Sequence, residues 1–216
     1  MHPLAKEFLV PFIQDNKAVC VRLVLDRLEK AELEIHTLYE QVLAPVLNSI
    51  APSDQEQTSS IWQEHVRTGI IETIIACCYP YILKKSPKVE IAPTVLVFCP
   101  AEEYHQVGAR MACDFFTLCG YHAVFIGANT PATEFLPAIK SLTPQYIVIS
   151  ISNYYNLVAA KRAIDQIRTV AGDTITIIVG GHAVSRNGDI RKNLGADLIL
   201  QTYADVHALA KGDGLL

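Results

Sequence analysis

The stretch TVLVFCPAEEYHQVG, residues 94–108, changes abruptly from apolar to charged residues within this chain of 216 residues. Its first six residues form an apolar, β-branched run without polar alternation, as expected of a strand buried on both faces of a parallel sheet. Glu102, Glu103 and His105 follow at once, and Gly108 comes three residues after the histidine. A turn from a strand into a helix needs only a capping residue, so this loop carries groups that could bind a ligand.

Four more runs of the same kind follow along the chain: HAVFIG (122–127), YIVISI (146–151), TITIIVGG (174–181) and DLILQ (197–201). Between the runs, apolar spacing predicts helices at 105–119, 131–141, 155–171 and 183–194. Strict alternation of strands and helices predicts an α/β domain with an open, doubly wound, five-stranded parallel sheet of the Rossmann/flavodoxin-like kind. Ligands bind such sheets beyond the carboxyl ends of the strands, which is where the EEYHQVG loop lies.

The first part of the chain, from residue 4 to about 84, shows helical spacing of its apolar residues instead and predicts a bundle of four or five helices. We expect Asp15 to cap one helix and Pro45 to kink or interrupt a second. A third helix is expected to begin after a cap at Thr58 or Ser59 and to end at Pro80.

The segment SPKVEIAPT, residues 86–94, has two prolines and no apolar period, so it reads as the boundary between the two parts. We therefore expect a helical bundle followed by an α/β domain. The expected ranges are 1–86 for the bundle, 87–93 for the linker and 94–216 for the α/β domain.

Composition narrows the classes of function. A formal net charge of −4 argues against binding to nucleic acid, which usually requires a basic face. There is no uninterrupted apolar run of about 18 residues, and the amino terminus lacks a signal-peptide pattern, so we expect a cytoplasmic protein without membrane contact. The six cysteines form no C-x-x-C pair and are expected to be free, mostly buried thiols rather than zinc ligands.

Polar and glycine residues at the ends of the strands form one rim. His105 could present a ring nitrogen to a metal while Glu103 holds its other nitrogen. Gly180 and Gly181 would allow a close approach to the backbone, and Ser150 and Ser152 could form hydrogen bonds. Each signal alone is weak, because a lone histidine in such a loop is more often an ordinary surface residue and a glycine pair is more often a turn.

The residues Glu103 to Gly108 resemble the D/E-x-H-x-x-G signature of cobalamin (vitamin B12)-binding domains. The spacing agrees with that family: 41 residues (109–149) separate Gly108 from Ser150, and 27 residues (153–179) separate Ser152 from Gly180. Ser152 departs from the family pattern, which has leucine there.

The resemblance implies a role for each of these residues. His105 would be the lower axial ligand of cobalt and Glu103 its hydrogen-bond partner, while Gly108 would allow the helix to pack closely under the corrin. The remaining family positions would line the tunnel for the nucleotide tail: Ser150, Ser152, Gly180 and Gly181. Thr130 and Thr202 are further candidates for contacts with the corrin side chains or the tail.

The chain also resembles the cobalamin-binding part of MerR-type light-responsive repressors, whose helical bundle covers the upper face of the cofactor. Glu64 and His65 fall on the Glu-His pair of that bundle. Asp54 stands where those photoreceptors have a tryptophan, and Trp62, on the same helix face as His65, would either partly fill that space or belong to the bundle core. No DNA-binding segment precedes the bundle, so we do not expect a one-chain repressor.

These features support several functions. The leading hypothesis is a sensor that binds adenosylcobalamin or methylcobalamin, responds to light or to a ligand, and acts through a partner protein or a homo-oligomer without enzymatic turnover of its own. The first alternative is a corrinoid carrier subunit of a methyltransferase system. The second is a photoreceptor in which the room left by Asp54 admits a bilin beside cobalamin. The third is a domain that kept the motif and lost the ligand.

Overall fold

The computed structural model describes residues 1–49, 61–184 and 190–216. The chain divides into two compact units, Met1–Lys84 and Lys85–Leu216, which we name the helical unit and the sheet unit. The expected caps at Thr58 and Ser59, and the position of Asp54, lie outside the described residues.

The helical unit consists of amphipathic helices around an aromatic and aliphatic core. Phe8, Phe12, Tyr39, Ile71 and Ile74 are among its most deeply buried side chains. Burying such side chains is the main source of stability for helices of this length. The helices are α1 (Pro3–Ile13), α2 (Lys17–Glu29), α3 (Ile35–Thr37), a π-helix (Leu38–Leu43), α4 (Ala44–Ser49) and α5 (Ile61–Lys85).

Two local predictions in this unit are wrong. The cap of α2 is Asn16, whose side chain accepts from the backbone N–H of Val19, while Asp15 pairs with Arg67 at 3.3 Å. Pro80 does not end α5, which continues to Lys85. Pro80 and Ala76 both lie on the exposed side of α5, where solvent can satisfy the Ala76 carbonyl that the proline ring cannot bond.

Pro45 does interrupt the regular α-helical pattern, as expected. The chain runs through one continuous helical stretch from Ile35 to Ser49, but Leu38–Leu43 is a π-helix. The backbone N–H of Ala44 donates to the carbonyl of Tyr39, five residues back. This wider turn directly precedes the proline, whose ring would clash with the carbonyl four residues earlier in a regular α-helix.

The sheet unit confirms the predicted fold class. Its sheet has five parallel strands in the order β2-β1-β3-β4-β5: β1 (Thr94–Pro100), β2 (His122–Thr130), β3 (Tyr146–Ser150), β4 (Thr176–Gly180) and β5 (Leu198–Ile199). The helices beside it are α6 (Val107–Leu118), α7 (Ala132–Leu142), α8 (Leu157–Ala171), α9 (Ile190–Leu194) and α10 (Tyr203–Gly212), with short 3₁₀ turns at Tyr154–Asn156 and His182–Val184.

The last strand is shorter than its sequence suggests. The pairing with β4 ends at Leu200, whose N–H donates to Val179 O at 3.2 Å. The next N–H groups, those of Gln201 and Thr202, both donate to the Asp205 carboxylate at 2.9 Å. The start of α10 thus takes over the backbone hydrogen bonds that a longer strand would use.

The six cysteines are free, and all but the half-buried Cys77 are buried, as predicted. One helix within the described residues, α5, is long and apolar enough to cross a membrane by length and composition alone. Core helices of soluble proteins pass the same test, so this is weak support for a span. A cytoplasmic location stays a prediction.

Candidate functional site

The candidate site lies where the order of the strands reverses. β1 pairs with β2 on one side and with β3 on the other, so the crossovers after β1 and β3 diverge at their carboxyl ends. The loop with Glu103 and His105 leaves β1 at this point, and the residues Ser152 and Asn153 leave β3 beside it. Open α/β sheets bind ligands in this crevice.

Glu103 is the centre of the site and is fully buried. One carboxylate oxygen, Oε2, accepts from the backbone N–H groups of Ser152 (2.9 Å) and Asn153 (2.8 Å). The other, Oε1, accepts from the backbone N–H of His105 at 3.0 Å and lies 2.6 Å from Nδ1 of its ring. A buried carboxylate is stable only with such partners.

These contacts determine the protonation of the pair. Burial by itself raises the pKa of Glu103, but hydrogen bonds from the His105 ring, the Asn153 N–H and the Asn156 side chain outweigh it and lower the pKa to about 2. An ionised carboxylate can only accept, so Nδ1 of His105 carries the proton in their hydrogen bond. In the neutral imidazole the lone pair is therefore on Nε2, the nitrogen on the other side of the ring.

The ring of His105 is accessible, with 58% of its side chain exposed, although its partner Glu103 is completely buried. The backbone beneath the ring is held as well, because the Cys99 thiol donates to the carbonyl of His105 at 3.7 Å. Burial, with a smaller contribution from Glu103, raises the pKa of Cys99 to about 12, so the sulfur stays protonated and able to donate.

Two asparagines that the sequence did not single out hold the same loop. Asn129, at the end of β2, accepts from the Glu102 N–H through Oδ1 at 2.8 Å, and its own N–H donates to the Glu103 carbonyl at 2.8 Å. Asn156, which is buried, donates from Nδ2 to the Glu102 carbonyl at 3.3 Å. Their only signal in the sequence is their place near the carboxyl ends of two predicted strands, where asparagine favours turns.

The predicted glycines have different surroundings. A Cβ at Gly108 would meet nothing within 4 Å, so the packing of the chain does not require glycine there. A Cβ at Gly180 would lie 2.8 Å from Leu200 O, and one at Gly181, where φ is +95°, would lie 2.5 Å from Ile151 O. The glycine pair is thus needed for the close approach of neighbouring backbones, in addition to any ligand.

The predicted serine and threonine residues lie at the same edge of the sheet, but their hydrogen bonds differ from one another. Ser150 is buried at the end of β3, opposite Gly180 in the register. Ser152 contributes its backbone N–H to Glu103. The Thr130 hydroxyl donates to Gly127 O at 3.1 Å, and Thr202 caps α10 in a capping box with Asp205. The structure thus gives both threonines local backbone roles.

The residues expected to face the upper ligand lie in the helical unit. Glu64, His65 and Trp62 are all exposed near the start of α5, with Trp62 exposed by 61%. Trp62 is therefore not a buried residue of the bundle core, which was one of the two interpretations of the sequence.

Comparison with known proteins identifies the family. Residues 93–209 match the family model of the B12 binding domain, which is more than half of the chain. The chain belongs to the B12-binding domain family. It is a cobalamin-binding domain protein, as the motif and its spacing predicted.

Relatives of this B12-binding protein include corrinoid proteins. It is 22% identical over 156 residues to trimethylamine corrinoid protein 1 of Methanosarcina acetivorans, covering 71% of each chain. Its fold matches the monomethylamine corrinoid protein of Methanosarcina barkeri with a TM-score of 0.82 and 15% identity, over 97% of this chain and 98% of that one. A chain of the methanol:cobalamin methyltransferase complex MtaBC of M. barkeri matches with a TM-score of 0.52 and 17% identity, over 97% and 79% of the chains.

The residues present suit the cofactor of the B12-binding family. Among the described residues, no group of three or more His, Cys, Asp and Glu could enclose a metal ion. A metal that arrives within its own ring of nitrogen ligands needs only one donor from the protein, and an accessible imidazole with a fixed tautomer is such a donor. Gly108 is the second residue of α6, and the open space beside it is compatible with a bulky planar group.

Proposed function

We propose that this protein is a corrinoid carrier subunit of a methyltransferase system, which holds cobalamin and presents it to partner methyltransferases. The observation that carries cobalt ligation is the pairing of an exposed His105 ring with the buried, ionised Glu103 at 2.6 Å. The pairing supplies one nitrogen ligand, held in orientation by Glu103, at the carboxyl edge of the sheet.

The relatives favour the carrier over the sensor. The two corrinoid proteins are named for trimethylamine and monomethylamine, and the third match is a methanol:cobalamin methyltransferase complex. The first-ranked expectation from the sequence, a light- or ligand-responsive sensor, has no support among these relatives, and neither has a bilin. These relatives therefore favour the carrier, with methylcobalamin as the form to test.

When bound, the corrinoid supplies a cobalt that can take up a methyl group and give it away. The protein's own contribution begins with Glu103, which holds the proton on Nδ1 of His105 and so leaves the lone pair of the neutral ring on Nε2. The carboxylate also raises the basicity of that nitrogen. Should His105 gain a proton on Nε2, Glu103 would stabilise the imidazolium, so the pair can hold this proton when His105 is not a ligand.

Other residues have proposed roles around this centre. Gly108 leaves the surface beside His105 bare for the corrin. Ser150, Ser152, Gly180 and Gly181 form the edge where the nucleotide tail would lie, while Thr130 and Thr202 are weaker candidates because their hydroxyls serve the backbone. Trp62, Glu64 and His65 stay proposed as residues for the upper side of the cofactor, on the resemblance of their sequence alone.

The first experiment tests ligation. The full chain is loaded with cobalamin in the dark, reduced to the Co(II) form, and examined by electron paramagnetic resonance with and without ¹⁵N-histidine labelling. We expect nitrogen coupling that changes with the label and is absent in His105→Ala. His122→Ala, which changes an exposed histidine at the start of β2, is the matched control. Label-insensitive coupling, or an unchanged His105→Ala spectrum, would refute His105 as the ligand.

The second experiment separates carrier from sensor. The protein is loaded with cobalamin carrying an isotopically labelled methyl group and mixed with candidate methyltransferases and a thiol or tetrahydrofolate acceptor. A carrier should transfer label only when a partner enzyme is present. A protein that transfers none, but whose dark spectrum and oligomeric state change under green light, would restore the sensor hypothesis.

A further inference from the structure

The end of β2 makes an unusual turn directly beside the cobalt-binding loop. The pairing of β1 with β2 shifts register between Phe98 and Pro100, where Pro100 pairs with Thr130. Within this irregular part, Asn129 has φ of +47°, and Glu102, across from it, has φ of +69°. Two residues other than glycine in the left-handed region at one point require a local reason.

The reason is a reciprocal pair of hydrogen bonds. The Asn129 side chain accepts from the Glu102 N–H at 2.8 Å, and the Asn129 N–H donates to the Glu103 carbonyl at 2.8 Å. Both bonds occur with this left-handed backbone, which asparagine tolerates better than most residues. They attach the loop of one strand to the end of its neighbour.

These two hydrogen bonds restrain the backbone at Glu103. Its N–H donates to Pro100 O at 3.0 Å, its carbonyl accepts from Asn129, and its carboxylate is held by Ser152, Asn153 and His105. Asn129 holds the chain before and after Glu103, at the Glu102 N–H and at the Glu103 carbonyl. The peptide between Glu102 and Glu103 is also held by the Asn156 side chain, which donates to the Glu102 carbonyl at 3.3 Å. The direction of the Glu103 side chain, and through it the orientation of the His105 ring, depends on these restraints.

We propose that Asn129 is a positioning residue for cobalt ligation, acting through Glu103 on the His105 ring. The proposal rests on the proposed function only in taking His105 as the ligand. Asn129 makes no contact with the metal in this role. It determines how often the imidazole has the tautomer and orientation that ligation needs, so its removal should change ligation more than it changes the fold.

Three variants of the full chain separate the side-chain bond from the backbone. Asn129→Gly accepts the +47° backbone but removes the Oδ1 acceptor. Asn129→Asp keeps an acceptor oxygen and tolerance of this backbone. Asn129→Ala loses the acceptor and adds strain. The readouts are the Co(II) nitrogen coupling from His105, the affinity for cobalamin, and the His105 ring tautomer by ¹⁵N NMR without cobalamin.

We expect Asn129→Asp to retain the nitrogen coupling, and Asn129→Gly to lose most of it and to bind cobalamin about tenfold more weakly, the loss typical of residues behind a metal ligand. Without cobalamin, Asn129→Gly should show a mixture of His105 tautomers where the unaltered chain shows Nδ1–H. Asn129→Ala should lose at least as much nitrogen coupling and cobalamin affinity as Asn129→Gly.

An Asn129→Gly protein with unchanged coupling, affinity and tautomer would overturn the proposal. So would loss of the folded circular dichroism spectrum in Asn129→Gly, because Asn129 would then serve the fold. If the unaltered chain shows no coupling from His105, ligation by His105 fails as a part of the proposed function. The tautomer measured without cobalamin then still decides whether Asn129 orients the ring.

Discussion

Glu103 holds a negative charge where water cannot reach it. Isolated carboxylates avoid such places, and this one is retained because several donors converge on it, among them two backbone N–H groups of the neighbouring strand end. The arrangement ties the loop after β1 to the segment after β3. Glu103 therefore contributes to the stability of the sheet edge, and the exposed ring of His105 supplies one of its donors.

We expect Glu103→Gln and His105→Ala to differ in their effects on the protein without cofactor. The amide would direct an N–H₂ group at existing donors, so Glu103→Gln should lower the free energy of unfolding by about 2–4 kcal/mol. His105→Ala removes one of the donors to Glu103, but water can enter the space of the largely exposed ring and replace it, so this variant should lose less, about 1 kcal/mol. Urea unfolding of both variants measures this. Equal losses would show that the His105 ring is a structural residue.

At the scale of elements, Gly108 and Gly181 have opposite surroundings. Gly108, in the first turn of α6, lies beside open space, and Gly181 lies against the backbone of Ile151. A side chain is excluded at Gly181 by the sheet itself, because the Ile151 N–H bonds to Gly180 O at 2.9 Å and leaves no room between the strand ends.

This contrast gives a prediction for two alanine substitutions. Gly181→Ala should lower the free energy of unfolding by about 3 kcal/mol or more, because it combines strain at positive φ with a backbone clash. Gly108→Ala should raise it by up to about 1 kcal/mol, as alanine favours a helix, while weakening cobalamin binding. Thermal unfolding and cobalamin titration measure the two effects. A Gly108→Ala protein with unaltered affinity would remove Gly108 from the site.

Elements with a strong local signal were predictable from the sequence. All five strands lie in apolar runs, and His105 and Glu103 were found through a motif with fixed spacing. What depends on contacts between distant segments was not predictable: Pro80 is tolerated because it lies on an exposed helix face, and Asn129 and Asn156 matter because three strand ends meet. The sequence places these asparagines 27 and 54 residues from Glu102, with nothing to connect them.

On the scale of the whole sheet unit, the carboxyl-terminal residues are fastened to distant strands by one carboxylate. Asp213 Oδ2 accepts from the hydroxyls of Tyr121 (2.6 Å) and Tyr146 (2.7 Å), which lie 92 and 67 residues earlier. The two rings meet edge to face with centroids 5.7 Å apart. Burial, and next the bond to Asp213, raises the pKa of Tyr146 to about 12 and raises that of Tyr121 further.

These raised pKa values predict a loss of stability in alkali. The unfolded tyrosines release their protons near pH 10, while the folded ones keep theirs. The unfolded state thus binds fewer protons above about pH 10, and the free energy of unfolding falls as pH rises towards the folded values. Urea unfolding at pH 8–11 should show a shallower fall for Tyr121→Phe and Tyr146→Phe than for the unaltered chain. Parallel curves for the variants and the unaltered chain would show that these two tyrosines do not cause the loss of stability in alkali.

The close contact at Gly181 also has a consequence for inheritance. Every other amino acid carries a Cβ, so any missense mutation in this codon places an atom where the Ile151 backbone already is. Selection would therefore keep glycine at this position even in a descendant that no longer used cobalamin. An unchanging Gly181 among descendants would record only that the sheet still folds, whereas the identity of residue 108 is free to drift once the cofactor is lost and is the better marker of retained use.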